Sequence, residues 1–358
     1  MLTENLANEI VTQTMNRLNR NINIMNESGI IIASGNAKRL NQTHFGAIEV
    51  LKTGQSLIIQ ESNQGEWPGA QPGINLPITF QHKTIGVIGI TGNPEEIMEF
   101  GELVKMITEM MVHQAFLTVQ IEWKQRLKES LFEDLLSNPV PIKKTEKRLQ
   151  LVNFQLEAPF QVGIVEIKQR KNDMLQLAEK LLPAQQALIG FLNVNRLFIL
   201  TSNFSEHRFR EKLNQLYRLL NATNYHPKIG VGLPVIEQSN IQQSYSDALC
   251  AIKYSTEEQP IIMFSEIETK ALLEQLNKHT KEHFCKRVIG ALPEKYIETL
   301  EQFIEHDLNI EKCSRSMYIH RNSLIYRLKK IEECTGYNPQ NINDIITLQL
   351  ALWMRNIT

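Results

Sequence analysis

One stretch constrains the fold of this chain more than any other. From Asn93-Pro94-Glu95 to Ser137 the sequence opens with proline and acids, as a helix start does, and contains no further proline until Pro139. The pattern predicts a single helix, and forty-odd residues at ~1.5 Å each reach roughly 60 Å, more than a small domain covers. Its apolar residues Leu103, Met106, Ile107, Met110, Met111, Phe116 and Leu117 form a stripe expected to meet another chain, giving at least a dimer. The alternative at this point is a helix folded wholly against its own domain.

The helix divides the chain. Ahead of it, helical spacing (Leu6, Ile10, Met15, Leu18) gives way to strand-like runs at Asn21 to Asn26 and Gly29 to Ser34, joined by the turn Asn26-Glu27-Ser28-Gly29. A short helix around His44 to Lys52, a strand at Ser56 to Gln60, a polar loop from Glu61 to Pro72 and a hairpin (Ile74 to Phe80, Thr84 to Thr91) follow. This order predicts an antiparallel sheet with helices on one side, the arrangement of PAS or Cache sensor domains. Behind the helix, Pro139-Val140-Pro141 marks a boundary. Strand-like runs (Phe160 to Ile167, Ala187 to Leu192, Arg196 to Thr201, Lys228 to Leu233) then alternate with helical ones (Asp173 to Leu182, Glu206 to Leu220, Ser239 to Tyr254), an α/β or α+β domain. Ile267 to Thr358 reads as all-helical. The expectation is an α+β multidomain protein divided at 1–138, 139–266 and 267–358.

Composition removes several classes of function. At ~150 residues per domain, 358 residues hold two or three cores. A net charge of −1 means that any nucleic-acid surface is local. Cys250, Cys285, Cys313 and Cys334 form no Cys-x-x-Cys pair, so neither a zinc site nor a disulfide scaffold is indicated, and free thiols fit a reducing cytoplasm. No apolar run has the length of a signal peptide or membrane span. His279 and His283 lack the glutamate of a zincin pattern, so no metal is expected, and no cofactor. Gly86-x-x-Gly89-x-x-Gly92 lacks phosphate-loop spacing; its glycines fit a strand beside a pocket.

The strongest motif lies near the end. Asn309 can cap a helix from Ile310 to Ser316, Met317-Tyr318-Ile319 makes a tight connection, and His320 to Thr335 forms a second helix closed by Gly336. Between Lys312 and Lys330 stand six lysines or arginines and no acid. At ~100° per residue Leu324, Leu328 and Ile331 share one stripe, while Asn322, Tyr326 and Lys329 point the other way. Arg321, Asn322 and Ser323 occupy the first turn, where helix-turn-helix proteins place base-reading side chains. Arg315, Lys329 and Lys330 suit phosphates, Arg327 and Tyr326 are counted with the DNA-binding residues, and His320 stands at the start of the groove helix. The implied partner is double-stranded DNA.

The string from Ile319 to Leu328, followed by Lys330-Ile331, Thr335-Gly336 and Asp344, resembles the C-terminal helix-turn-helix of the PucR and sugar-diacid regulator families. Ile22 to Met25, Ile31 to Gly35, Gly73 to Pro77, Gly86 to Gly92 and Gly101 to Met106 resemble the CdaR-type sugar-diacid recognition domain. The middle domain, through Asp247-Ala248-Leu249 to Tyr254, is similar to the degenerate GGDEF-like domain of these regulators. The resemblance implies a transcription factor for uptake and breakdown of sugar diacids such as glucarate or galactarate, or of glycerate.

Positions matching those motifs make Ser34, Arg39, His44, Asn75 and Thr91, with amides of Gly73-Ile74-Asn75, the implied contacts of a small carboxylic acid. The family pattern usually has an acid where Phe45 stands, which favours a smaller or less polar ligand. A nucleotide cyclase is the rival from another class, but the chain holds no Gly-Gly pair, and Asn193-Val194-Asn195-Arg196 fills the expected hairpin. The middle domain is therefore expected to couple rather than catalyse. A purine-responsive regulator of the PucR kind is the second rival.

Overall fold

The computed structural model describes residues 2–18, 20–137, 142–167, 173–223 and 225–357. Pro139, Val140 and Pro141, read above as a boundary, lie outside the described residues. The chain forms two compact units, Met1–Leu127 and Lys128–Thr358.

The first unit contains α1 (Glu4–Leu18), β1 (Ile22–Met25), β2 (Ile31–Ser34), α2 (Phe45–Thr53), β3 (Leu57–Ile59), β4 (Gly73–Phe80), β5 (Lys83–Thr91) and most of α3 (Pro94–Leu136). The strands make one antiparallel sheet in the order β2-β1-β5-β4-β3. Gly29, at φ 75°, closes the β1–β2 turn in the left-handed region that glycine enters without steric cost.

Helices cover both faces of this sheet, not one. Ala7 and Ile10 of α1 and Ile97, Val104 and Val112 of α3 pack with Ile24, Leu76 and Ile88 on one side. Ala47 and Val50 of α2 pack with Met25, Ile31 and Val87 on the other. The physical reason is visible in β4 and β5, which are buried almost throughout: strands covered twice read as continuous apolar runs rather than alternating ones.

The structure also splits the stripe expected on α3. Phe116 sets its ring edge-on to Phe80, centroids 4.9 Å apart, and Met111 packs on the same core. Leu103, Met106, Ile107, Met110 and Leu117 remain exposed.

The last turns of α3 belong to the second unit. Leu131, Phe132 and Leu135 are buried there, and Phe132 stacks on Phe198 at 3.9 Å with its plane 8° away. Glu129 accepts the main-chain N–H of Phe191 at 3.1 Å, and Asp134 pairs with Arg148. Then come α4 (Ile142–Val152), β6 (Phe160–Glu166), α5 (Asp173–Leu181), β7 (Ala187–Asn193), β8 (Arg196–Ser202), α6 (Glu206–Ala222), β9 (Lys228–Val231), α7 (Ile241–Ala251) and β10 (Ile261–Met263). Their sheet has the order β10-β9-β6-β8-β7, antiparallel except for β9 with β10. Gly230 and Gly232 let α7 approach: a Cβ there would lie 2.3 Å from the carbonyl oxygen of Ala248 and 1.8 Å from that of Ser244.

The remainder is helical: α8 (Phe264–Glu274), α9 (Lys278–Ile289), α10 (Glu294–Glu305), α11 (Ile310–Ser316), α12 (Arg321–Thr335) and α13 (Ile342–Ile357). Leu300 and Phe303 of α10, Leu324, Leu328 and Ile331 of α12, and Leu348 of α13 share one core.

Phe132→Ala should remove a stacked, fully buried ring and destabilise the second unit by about 3–5 kcal/mol. Faster amide exchange across β7 and β8, with α12 unchanged, checks this.

Candidate effector recess and nucleic-acid interface

The sheet register assembles the first site. Ser34 pairs with Asn23, Asn23 with Gly89 and Gly89 with Asn75, so four strands contribute one row to the face that α2 covers. In the next row Thr91 stands opposite Gly73. Gly89 has to be small, because a Cβ there would lie 2.9 Å from the Asn75 side-chain oxygen. At this end of the sheet Asn23, Arg39, His44, Gln71, Asn75 and Thr91 line a recess.

His44 is fixed by the local fold. It caps α2, its Nδ1 accepting the N–H of Ala47 at 3.2 Å. Because Nδ1 accepts, the neutral ring carries its proton on Nε2. Burial, and then the charge of Arg39, push its pKa down to about 4. At neutral pH His44 is therefore an uncharged donor. Arg39 ends a single 3-10 turn capped by Asn36, and its Nη2 donates to the carbonyl of Gly69 at 3.1 Å. Burial lowers its pKa as well, yet guanidinium stays charged at any physiological pH.

The recess is closed down. Its cavity volume of about 10 Å³ is the room of one water molecule. An open cleft of about 730 Å³ adjoins it, sharing Gln71 and Thr91 and reaching Asn93, Pro94 and Glu95 at the start of α3. A cation, an imidazole N–H, a carboxamide and a hydroxyl converge here, the donor set that a carboxylate and its neighbouring hydroxyls require.

Six of the seven sequence-derived positions line the recess: Arg39, His44, Gly73, Ile74, Asn75 and Thr91. Ile74 does so through its main chain, since its side chain belongs to the opposite core. The amides of Gly73, Ile74 and Asn75 are taken up in the sheet, because β4 pairs with β3 and β5 across all three residues. Ser34 stands one place back, donating to Asn23 Oδ1 at 2.6 Å. Sequence reasoning missed Asn23 and Gln71, while Gly89 lies, as its glycine pattern led one to expect, in a strand beside the pocket. Asn23, polar between Ile22 and Ile24, carried a signal in its alternation; Gln71 carried none.

The second site is the helix-turn-helix. Asn309 caps α11, accepting the N–H of Lys312 at 3.0 Å, and Gly336 ends α12 at φ 77°. His320 caps α12, its Nδ1 accepting the N–H of Asn322. Leu324, Leu328 and Ile331 are buried, while Arg315, Arg321, Asn322, Ser323, Tyr326 and Lys329 are exposed. Arg327 lies back against α10, donating to Thr299 Oγ1 at 3.1 Å. Lys330 pairs with Glu333, which raises the pKa of its ammonium. The structure adds Tyr318, 96% exposed at the tip of the turn, and Ile325 on the outer side of α12. Lys295 and Tyr296 of α10 join Asn322, Ser323 and Tyr326 around an open cleft of about 480 Å³.

Three family models match the chain: "Putative sugar diacid recognition" over residues 2–135, "GGDEF-like domain" over 139–254 and "PucR C-terminal helix-turn-helix domain" over 296–354. The carbohydrate diacid regulator of Escherichia coli is 27% identical, the alignment covering 98% of this chain and 97% of that one. A Haemophilus influenzae protein is 30% identical over 96% of this chain and 97% of its own length. The chain belongs to the sugar diacid regulator family. YsfB of Bacillus subtilis is 28% identical over 97% and 96% of the two chains. A member of this family is a transcription regulator with a DNA-binding helix-turn-helix, and α12 is its second helix. No helix among the described residues is long and apolar enough to cross a membrane. Nor does any group of three or more His, Cys, Asp or Glu among them stand ready to hold a metal ion.

His44 gives this regulator a pH dependence whose sign is fixed. Its folded-state pKa of about 4 lies below the ordinary value of 6.5, so the unfolded chain takes up a proton first. The stability is fully present above that ordinary value and is lost as pH falls toward 4, by on the order of 3 kcal/mol. His44→Asn keeps a capping side chain without the titration, and should flatten the unfolding midpoint of the first sheet between those limits.

Proposed function

We propose that the protein is an acid-responsive transcription regulator whose effector is a small carboxylic acid, glycerate or a sugar diacid such as glucarate or galactarate, bound in the recess. One observation carries the reading: Arg39, His44, Asn75 and Thr91 line one recess, and Thr91 also borders the cleft at the start of α3. The carboxylate would take Arg39 from the Gly69 carbonyl, since a guanidinium bonds an anion more strongly than a neutral oxygen. Release of Gly69 frees the loop between β3 and β4, and the closed recess opens toward the cleft. The Nε2–H of His44 and the side chains of Asn75 and Thr91 then meet the acid's second oxygen and its hydroxyls.

The regulator works as at least a dimer in the cytoplasm, reading a DNA operator with two copies of α12. Arg321, Asn322 and Ser323 face bases; Arg315, Tyr326, Arg327, Lys329 and Lys330 serve phosphates, with His320 at the helix start. The extents of the family matches support division near 138 and 266, with an effector sensor of PAS or Cache kind, a non-catalytic coupler and a DNA-binding module. The strand order β2-β1-β5-β4-β3 supports the sensor assignment. α3 carries the signal, starting beside the cleft and ending under Phe198.

Titration calorimetry of the full chain with glycerate, glucarate, galactarate and purines tests this reading. One of the acids should bind, shift operator affinity, and lose at least ~10-fold in affinity in Arg39→Ala. Binding of purines alone, or an acid that binds without changing DNA affinity at fixed salt, contradicts it. For the interface, Asn322→Ala should cost about 1–3 kcal/mol on the operator and little on random DNA. Lys329→Ala should weaken both and lower the salt slope by about one.

A further inference from the structure

α3 carries a second pattern besides the one that packs on its own sheet. Phe100, Ile107, Gln114 and Ile121 recur every seven residues, and Leu103, Met110 and Leu117 fall three after each of the first three. All seven are exposed, on a side of the helix away from Val104, Thr108 and Val112, which face the sheet. This alternation of three and four is a coiled-coil seam, with β-branched Ile107 and Ile121 at a and leucines at two d positions, the combination that favours two strands. From residue 117 to 124 the helix is exposed on every side, so nothing in its own unit covers it.

We infer that this seam docks a second copy of the chain as a parallel, in-register coiled coil centred on Gln114. The inference rests on the dimeric reading given above and names its surface. Gln114 sets the direction. In a parallel pair, a meets a, so the two Gln114 side chains hydrogen-bond to each other. An antiparallel pair would set each carboxamide against an apolar d side chain and leave it without a partner. The apolar seam exposes on the order of 600 Å² per copy, or about 1,200 Å² for the pair, the lower bound of a stable interface. Parallel helices carry both chains onward in the same direction, as two reading helices on one face of a duplex require.

Sedimentation of the full-length protein at micromolar concentration tests the docking, whether or not an acid or DNA binds. Wild type should be a dimer. Ile107→Lys combined with Leu117→Lys should raise the dimer dissociation constant at least ~100-fold with an unchanged circular dichroism spectrum, because both side chains are exposed in the single chain. A monomeric wild type, or a double variant that dimerises as tightly, overturns the inference. Direction is read by mild oxidation with wild type as the blank for native thiols. Gln114→Cys should give a disulfide-linked dimer and Glu122→Cys, off the seam, should not; equal cross-linking of the two, or none at Cys-substituted 114, overturns the parallel register. Failure of acids to alter DNA binding would sink the proposed function and leave these results standing.

Discussion

A helix buried at two places cannot turn without moving what it is buried against, and α3 is buried at two. Ile97, Val104 and Val112 pack on the first sheet, while Leu131, Phe132 and Leu135 are buried in the second unit. Phe132, stacked on Phe198, makes the far end of the helix part of the second core rather than a tether to it. Packed interiors resist continuous deformation, so any signal passed along a helix so held would take the form of a change between discrete packings. Its start at Pro94 borders the cleft next to the recess.

The recess adds the chemistry that would bias those packings. An anion cannot be buried without partners, and the chain supplies a guanidinium engaged with a loop carbonyl together with an imidazole held neutral by its surroundings. Both are pre-positioned by local structure, Arg39 by a capped 3-10 turn and His44 by its own capping bond. Neither is idle, so on the function proposed above an effector would replace internal bonds rather than fill a vacant cavity. The gain would be the difference between a charged and a neutral acceptor for Arg39, a modest quantity of the size a reversible switch needs.

What the sequence made legible is what is local. The extent of α3, the bounds of α11, the caps at Asn309 and Gly336, the Asn193 to Arg196 hairpin and the buried stripe Leu324, Leu328 and Ile331 all follow from spacing and turn chemistry within a few residues. Long-range pairing hid the rest. Apolar runs in β4 and β5 did not say that two faces were covered, and β10, three residues long, exists because Ile261 to Met263 lie beside β9. Gln71 reaches the recess only through the fold of its loop, and which residues face Gly89 across the recess is set by the register of the sheet. Arg327, counted by its charge toward the DNA-binding face, also donates to the Thr299 hydroxyl of α10, a contact that no spacing within α12 announces. Met111 and Phe116 looked like interface by hydrophobicity, whereas Phe116 meets Phe80 and Met111 packs on the core of its own sheet.

The account makes acid binding and operator binding two ends of one equilibrium, and thermodynamic linkage demands that the coupling be the same from either end. The decisive measurement is the affinity of the active acid for the free protein and for the protein saturated with operator DNA, at one salt concentration. The account predicts that the two affinities differ by the factor by which the acid changes operator affinity. Equal affinities in the two states would contradict it.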